Sequence, residues 1–356
     1  MVPAIMVLRP APVGPSAAAA GSVPAYRGPM KPEQAAYLIR VAARAPSVHN
    51  TQPWRFRVGD QAIELFADRG RQLSTDPVGR EMLISCGAAL YGLRLAVRSL
   101  GHVPEVELFP APEACRPPAG LRLLARVRLG SASPTNPAER KMLDAVPHRH
   151  THRGPFELVP LPAGLLADLQ ADAIAEGATL AVVDLERARP GLAALIAAEA
   201  STQDLDPVVR AETIRWTRAA SSVCRDGVPA HAFPARPGRK PGRLPERDFD
   251  LGRGLGWLPE GGSAAPVAAV LVTAGDGEED WLRAGQALDR LLLHAASQWT
   301  FARLQTQALQ TAMARNLIRS RLSLPGAPQL MLQLGVARTA HAVGRRLTAE
   351  LIETSD

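Results

Sequence analysis

Two short segments carry the side chains best suited to chemistry. Residues 45–56 read APSVHNTQPWRF, and residues 149–156 read RHTHRGPF. In the first, Ser47, Asn50 and Gln52 offer a hydroxyl and two amides, groups that can pair with the amide edge of a heterocycle. The same residue types cap helices and close turns, so a purely structural role stands beside the binding role. In the second, Arg149 and Arg153 flank Thr151. Two guanidinium forks and a hydroxyl so close together suit a phosphate or another anionic centre. His148, His150 and His152 alternate, and on a strand they would share one face, as metal ligands do. The interleaved arginines would repel a dication, so no metal is expected. His49 reads as a structural or ligand-orienting histidine rather than a catalytic base, and no residue is singled out as catalytic.

These segments lie far apart in the chain and need a scaffold to meet. Order is expected from Lys31. Pro32 in the first turn, then Ala35, Leu38, Ile39 and Ala42, give helical spacing up to Pro46. Residues 54–58 and 62–67 flank Gly59-Asp60 and read as a hairpin, with the turn pair in reverse of the favoured Asp-Gly order. Residues 79–100 (GREMLISCGAALYGLRLAVRSL) are apolar nearly all round, the mark of a helix buried on most faces. Strands over 105–109 and 121–129 follow, then a short helix ending near Val146. Further on, 161–175, 187–200 and 207–222 read as helices, with a strand over 179–183. A strand over 267–273, a second long apolar helix over 278–298 and a last strand over 329–337 complete the pattern. Setting Gly87 against Gly285 matches Ala89 with Ala287, Leu90 with Leu288, Leu93 with Leu291 and Leu95 with Leu293. That fits two α+β halves whose central helices pack together.

Of the 356 residues, 32 are Pro and 29 Gly, while 46% are hydrophobic. The apolar fraction excludes wholesale disorder, so Pro and Gly must be concentrated in segments. One such segment is the N-terminus, where prolines break the apolar run and no positive side chain precedes it; a disordered tail is expected rather than a signal peptide. Another is 225–262, far longer than an ordinary loop, which suits a lid or an insertion. The length calls for one large unit or two fused halves. The expected division is a tail over 1–30, a first half over 31–147 and a second half over 148–356 with the lid at 225–262. A net charge of +7 is mild. The densest basic run, Arg236 to Arg247, contains no aromatic and reads as a solvated loop first and a polyanion contact second, so no nucleic-acid partner is expected. No run of eighteen apolar residues occurs, which argues against a membrane. Cys86, Cys115 and Cys224 are odd in number and lack metal spacing, pointing to free thiols in a reducing, cytoplasmic setting.

The two motifs together resemble a known family. APSVHNTQPWRF resembles the SPSxxNxQPW stretch of the nitroreductase-like flavoproteins, and RHTHRGPF resembles their RRSxRxF flavin-phosphate motif. With the QPW motif first and the Arg motif second, the order is similar to that of the Acg family, in which two nitroreductase-like halves are fused and a single FMN site remains. GREMLISCGAALYGLRLAVRSLG, the WT…DGVP pattern from Trp216 to Pro229, and PQLMLQLGVA followed by Arg345-Arg346 agree with it, so the resemblance spans roughly residues 31–350. It implies an α+β, nitroreductase-like fold in which two fused halves form an intramolecular pseudo-dimer around long central helices. It implies FMN as cofactor, with Arg149 and Thr151 on the phosphate or ribityl chain and Arg153 near the pyrimidine edge. Ser47, Asn50 and Gln52 would reach the flavin from the other half, and Arg345 and Arg346 would complete the phosphate site. Several relatives carry Arg-Arg before the His-Thr pair, whereas this chain has His148-Arg149, one cation fewer.

The implied activity is NAD(P)H-dependent, ping-pong reduction of nitroaromatic or quinone-type acceptors by an oxidoreductase that is a monomer or a weak homodimer. The alternative is an Acg-type protein that stores or sequesters FMN without turnover, under a closed lid formed by 225–262.

Overall fold

Alternation is the first pattern to become structure. The computed structural model describes residues 28–111, 117–184, 198, 202, 205–233, 247–256, 266–338 and 343–353. Helix α1 spans Pro32–Ala42, and strands β1 (Trp54–Val58) and β2 (Ala62–Asp68) pair antiparallel as the expected hairpin. On β1, Trp54 and Phe56 are fully buried, and Arg57 on the opposite face pairs with Glu64 of β2, which is the period-two division of a half-buried strand. Helix α1 stops at Ala42 rather than reaching Pro46, because the residue before a proline is disfavoured in the helical region. The chain then runs through α2 (Arg80–Ser99), β3 (His102–Leu108), β4 (Leu121–Ala132) and α3 (Pro137–Ala145). Helix α3 opens with Asn136 and Glu139 in a reciprocal capping box, a local signal strong enough to set its start.

The second half opens with α4 (Leu165–Ala175) and β5 (Ala178–Val183), followed by α5 (Pro207–Arg215) and a short parallel pair, β6 (Thr217–Arg218) and β7 (Val228–Pro229). Next come β8 (Val267–Thr273), α6 (Glu278–Ser297), β9 (Thr300–Gln305), α7 (Ala312–Arg321), β10 (Ala327–Val336), α8 (Thr348–Leu351) and β11 (Ile352–Glu353). One sheet has the order β11-β1-β2-β4-β3 and another the order β5-β8-β10-β9. Leaving out β11, each sheet follows first-second-fourth-third, and each has its long helix between the second and third strands. The same topology is therefore used twice. Strand β11 pairs parallel with β1, so the C-terminal segment reaches across to the sheet of the first half.

Helices α2 and α6 cross at the centre of the core, where the matched glycines face one another. A Cβ on Gly87 would stand 2.3 Å from the carbonyl oxygen of Leu282, and one on Gly285 would stand 2.0 Å from that of Ile84. Each glycine meets the carbonyl three residues before its counterpart. This is the self-complementary contact of a two-fold dimer, made here within one chain. The α+β pseudo-dimer around long central helices is thus the observed fold.

Some elements depart from expectation. The helix over 207–222 ends at Arg215, because Trp216 turns into the core and the chain that follows pairs with Val228–Pro229. Strand β9, helix α7 and strand β11 were not anticipated. The expected helix over 187–200 falls outside the described residues apart from Ala198, as do residues 1–27 of the tail expected over 1–30, and Cys115. Cys86 is buried, Cys224 is exposed, and neither is paired. Among the described residues, no helix is long and apolar enough to cross a membrane.

Candidate functional site

The loop between α1 and β1 is held in an unusual conformation. His49, Asn50 and Gln52 all have φ near +50°, a region that costs a non-glycine residue roughly 1–2 kcal/mol each. Such strain persists only where the surroundings over-determine it. Here the surroundings are explicit. Asn50 Nδ2 donates to the carbonyls of Gly227 (3.0 Å) and Gly344 (3.2 Å). Gln52 Nε2 donates to Arg225 O at 2.9 Å, and its Oε1 accepts from the Arg346 amide at 2.8 Å. Ser47 Oγ accepts from the Gln52 amide, which leaves the hydroxyl proton available for a further partner. The two amides thus knit the segments around 225–228 and 344–346 onto the loop.

The segment 148–156 runs beside β9. Thr151 forms a parallel bridge to Ala302, and the His152 amide donates to the Ala302 carbonyl. The three histidine rings are taken up by aromatic packing: His148 stacks on Trp299 (5.4 Å), His150 lies 4.4 Å from Phe301, and His152 lies 4.9 Å from Phe156. No group of three His, Cys, Asp or Glu among the described residues is placed to hold a metal.

Three arginines meet where this segment approaches the loop. Arg149 Nη2 and Arg345 Nη2 both donate to the main-chain carbonyl of Arg44, at 2.9 and 3.3 Å. Two guanidinium nitrogens sharing one acceptor lie within about 6 Å, where like charges repel by about 3 kcal/mol at an effective dielectric of 20. Burial and the charges of Arg149 and Arg44 depress the Arg345 guanidinium well below its ordinary pKa. Asp289 of α6 is the buried carboxylate facing Arg149 and Arg345, and burial pushes it up to about 7 against their pull. Arg149 Nη1 and Arg345 Nε have no hydrogen-bond partner among the described residues. The cluster is short of negative charge.

Two adjoining spaces share Pro46, Ser47, Thr151 and Arg153 as walls. One is a polar cleft whose walls include Arg44, Asn50, Arg149 and Arg345. The other is a chamber of about 120 Å³ with apolar walls from Ile84, Leu288, Leu304 and Leu330. The chamber is also bounded by two residues of the Pro/Gly-rich segment. Arg247 Nη1 donates to His49 Nε2 at 3.0 Å, and the Phe249 ring meets His49 edge-on at 5.6 Å and underlies Arg153 at 5.4 Å. A guanidinium can only donate, so His49 Nε2 is the acceptor and Nδ1 carries the proton. Burial and the charges of Arg247 and Arg153 keep this imidazole neutral, well below its usual pKa.

Of the residues singled out in the sequence, Ser47, Asn50, Arg149, Thr151, Arg153 and Arg345 come together around the cleft. Gln52 is fully buried behind it. Arg346 turns the other way, donating to Glu350 O at 2.9 Å, because successive residues of an extended segment point to opposite sides. Sequence reasoning missed Arg44, one residue before the first motif, along with Asp289 and the chamber walls supplied by β9. For Arg44 the adjacency was a usable signal. For Asp289 there was none.

No family model matches the sequence. Two relatives from Mycobacterium tuberculosis (strain ATCC 25618 / H37Rv) do match. Rv3131, assigned by name to the NAD(P)H nitroreductases, is 34% identical over 310 residues, covering 84% of each chain. Acg, assigned to them likewise, is 30% identical over 300 residues, covering 84% of this chain and 88% of its own. Among solved structures, the FMN-dependent nitroreductase NfnB from Mycobacterium smegmatis in complex with NADPH covers 61% of this chain and 99% of its own, with 17% identity and a TM-score of 0.37. With such identity to Rv3131 and Acg along most of its length, and with the topology repeated in its two halves, this chain belongs to the Acg family of nitroreductase-like proteins.

Proposed function

We propose that this protein binds FMN between its two halves and serves as an NAD(P)H-dependent oxidoreductase for small nitroaromatic or quinone-type acceptors. One observation carries the reading: a chamber with apolar walls from Ile84, Leu288, Leu304 and Leu330 adjoins, at Ser47, Thr151 and Arg153, an arginine cleft whose described walls include no carboxylate. That pairing of apolar and cationic walls suits a ring system with an anionic tail. The unpartnered Arg149 Nη1 and Arg345 Nε fit a phosphate monoester, whose nearly two negative charges call for several charge-assisted donors. Arg149 and Arg345 would hold the phosphate, Thr151 the ribityl chain, and Ser47 and Arg153 the polar edge of the ring. Asn50 and Gln52 support the site by fixing the segments around Arg225–Gly227 and Gly344–Arg346. FMN, when bound, supplies two-electron exchange between a nicotinamide and an acceptor. The described residues that wall the chamber include no carboxylate, so this chain contributes binding, orientation and positive charge rather than a general acid.

A second reading draws on a different observation. The contacts of Arg247 and Phe249 with His49 and Arg153 close the chamber on one side. A segment that stayed there would shield the ring from nicotinamide and acceptor, and the protein would store FMN instead of turning it over. A visible spectrum before and after adding NADPH separates the readings. Rapid bleaching, followed by recolouring with a quinone, supports the reductase. FMN that stays oxidised under excess NADPH and NADH supports the store. Failure of the purified protein to bind FMN at all overturns both.

A further inference from the structure

The segment that carries Arg149 is preceded by His148, and the structure shows where that histidine goes. The His148 ring stacks on Trp299 at 5.4 Å, with the planes 11° apart, and its carbonyl pairs with His150 Nδ1. His148 is not among the walls of the cleft, whereas Arg44 from the first half is. The hydrogen bond from the Arg44 guanidinium, Nη2 to Pro147 O at 2.9 Å, ties it to the peptide just before His148. Its main-chain carbonyl receives both Arg149 and Arg345. Arg44 therefore orients the two buried guanidiniums through its backbone and adds a third charge through its side chain. The carboxylate that acts on Arg149 and Arg345 is Asp289, on α6. The cleft walls carry four arginines, Arg153 included, and no carboxylate among the described residues, a positive site that suits a phosphate monoester.

Building on the flavin reading above, we infer that Arg44 is the third cation of the anion site, and that it makes the site select a ring system bearing a terminal phosphate over the same ring without one. The selection needs both halves of the chain, because Arg44 comes from the first and Arg149 and Arg345 from the second. The test compares FMN with riboflavin on apoprotein, by quenching of flavin fluorescence, for wild type, Arg44→Ala and Arg44→Lys. A hydrogen bond to a charged group is worth enough that Arg44→Ala should weaken FMN about ten- to a hundredfold while leaving riboflavin within about twofold. Arg44→Lys keeps the charge and should recover part of the FMN affinity; it also serves if the alanine variant unfolds. Equal loss of both flavins in either variant makes Arg44 a packing residue and overturns the inference, as does undiminished FMN affinity in Arg44→Ala. Wild-type protein that binds riboflavin as tightly as FMN overturns it too. Wild-type protein that binds neither flavin overturns the underlying reading instead.

Discussion

The crossing of the central helices gives the sharpest prediction, the effect of Gly285→Ala. The added methyl would lie 2.0 Å from the Ile84 carbonyl oxygen, 2.7 Å from the Ala88 amide nitrogen and 2.8 Å from the Gly87 Cα. All three are backbone atoms of α2, so no side chain can swing aside. Non-bonded carbon contacts settle near 3.5–4.0 Å, so the helices must part by more than about 1 Å. Overpacking of this kind costs about 1–3 kcal/mol, and a backbone obstacle places the cost near or above the upper figure. Alanine is a better helix former than glycine by about 1 kcal/mol, which offsets part of the loss. A net destabilisation of about 2 kcal/mol is expected, lowering Tm by about 3 °C in a chain of this size. Ile84 and Leu288, one turn from the crossing on either helix, wall the chamber, so FMN affinity should fall as well. Gly87→Ala meets the Leu282 carbonyl at 2.3 Å and should behave alike. Because one separation of the helices relieves both clashes, the double variant should cost less than the sum of the singles. Urea unfolding of the four proteins measures this. A Gly285→Ala variant as stable as wild type, or strictly additive losses, would show that the helices do not cross as tightly as described.

Three further outcomes can be checked. Arg149→Ala should lose FMN during purification, with affinity down about ten- to a hundredfold; flavin absorbance retained at wild-type stoichiometry and affinity would remove Arg149 from the phosphate site. Replacing Arg247 and Phe249 with alanine frees His49 from its hydrogen bond and ring contact and should speed FMN dissociation about tenfold; an unchanged rate in stopped-flow release would show that these side chains do not hold the chamber closed. Asp289, pushed up to about 7 in the folded protein from a usual value near 3.8, binds a proton that the unfolded chain has released. Its contribution to stability is full below about pH 4 and fades as pH rises to about 7. Urea midpoints of Asp289→Asn should fall less across that window than those of wild type, and parallel curves would refute the assignment.

Elements governed by local pattern were legible in the sequence. The Trp54, Phe56 alternation and the apolar run of α2 read directly, because period and burial are written in consecutive residues. Strand β9 was not legible. Its Arg303 looks like a solvent-facing residue, yet it is 7% exposed, donating to Gly154 O at 2.7 Å and lying over the Phe156 ring. A buried cation is recognisable only through its partners. Arg345 and Arg346 were indistinguishable in sequence, and the direction of the extended backbone sends only the first into the cleft.

The chain's own order of residues determined the two motifs, the family they resemble, and the paired helices with matched glycines, since each depends on residue type at short spacing. Only the tertiary structure decided that Arg44 joins Arg149 and Arg345, that Asp289 is their counter-charge, and that Arg247 and Phe249 rest on His49. Charge balance in a buried site is a sum over segments far apart in sequence, and no stretch of chain carries that sum by itself.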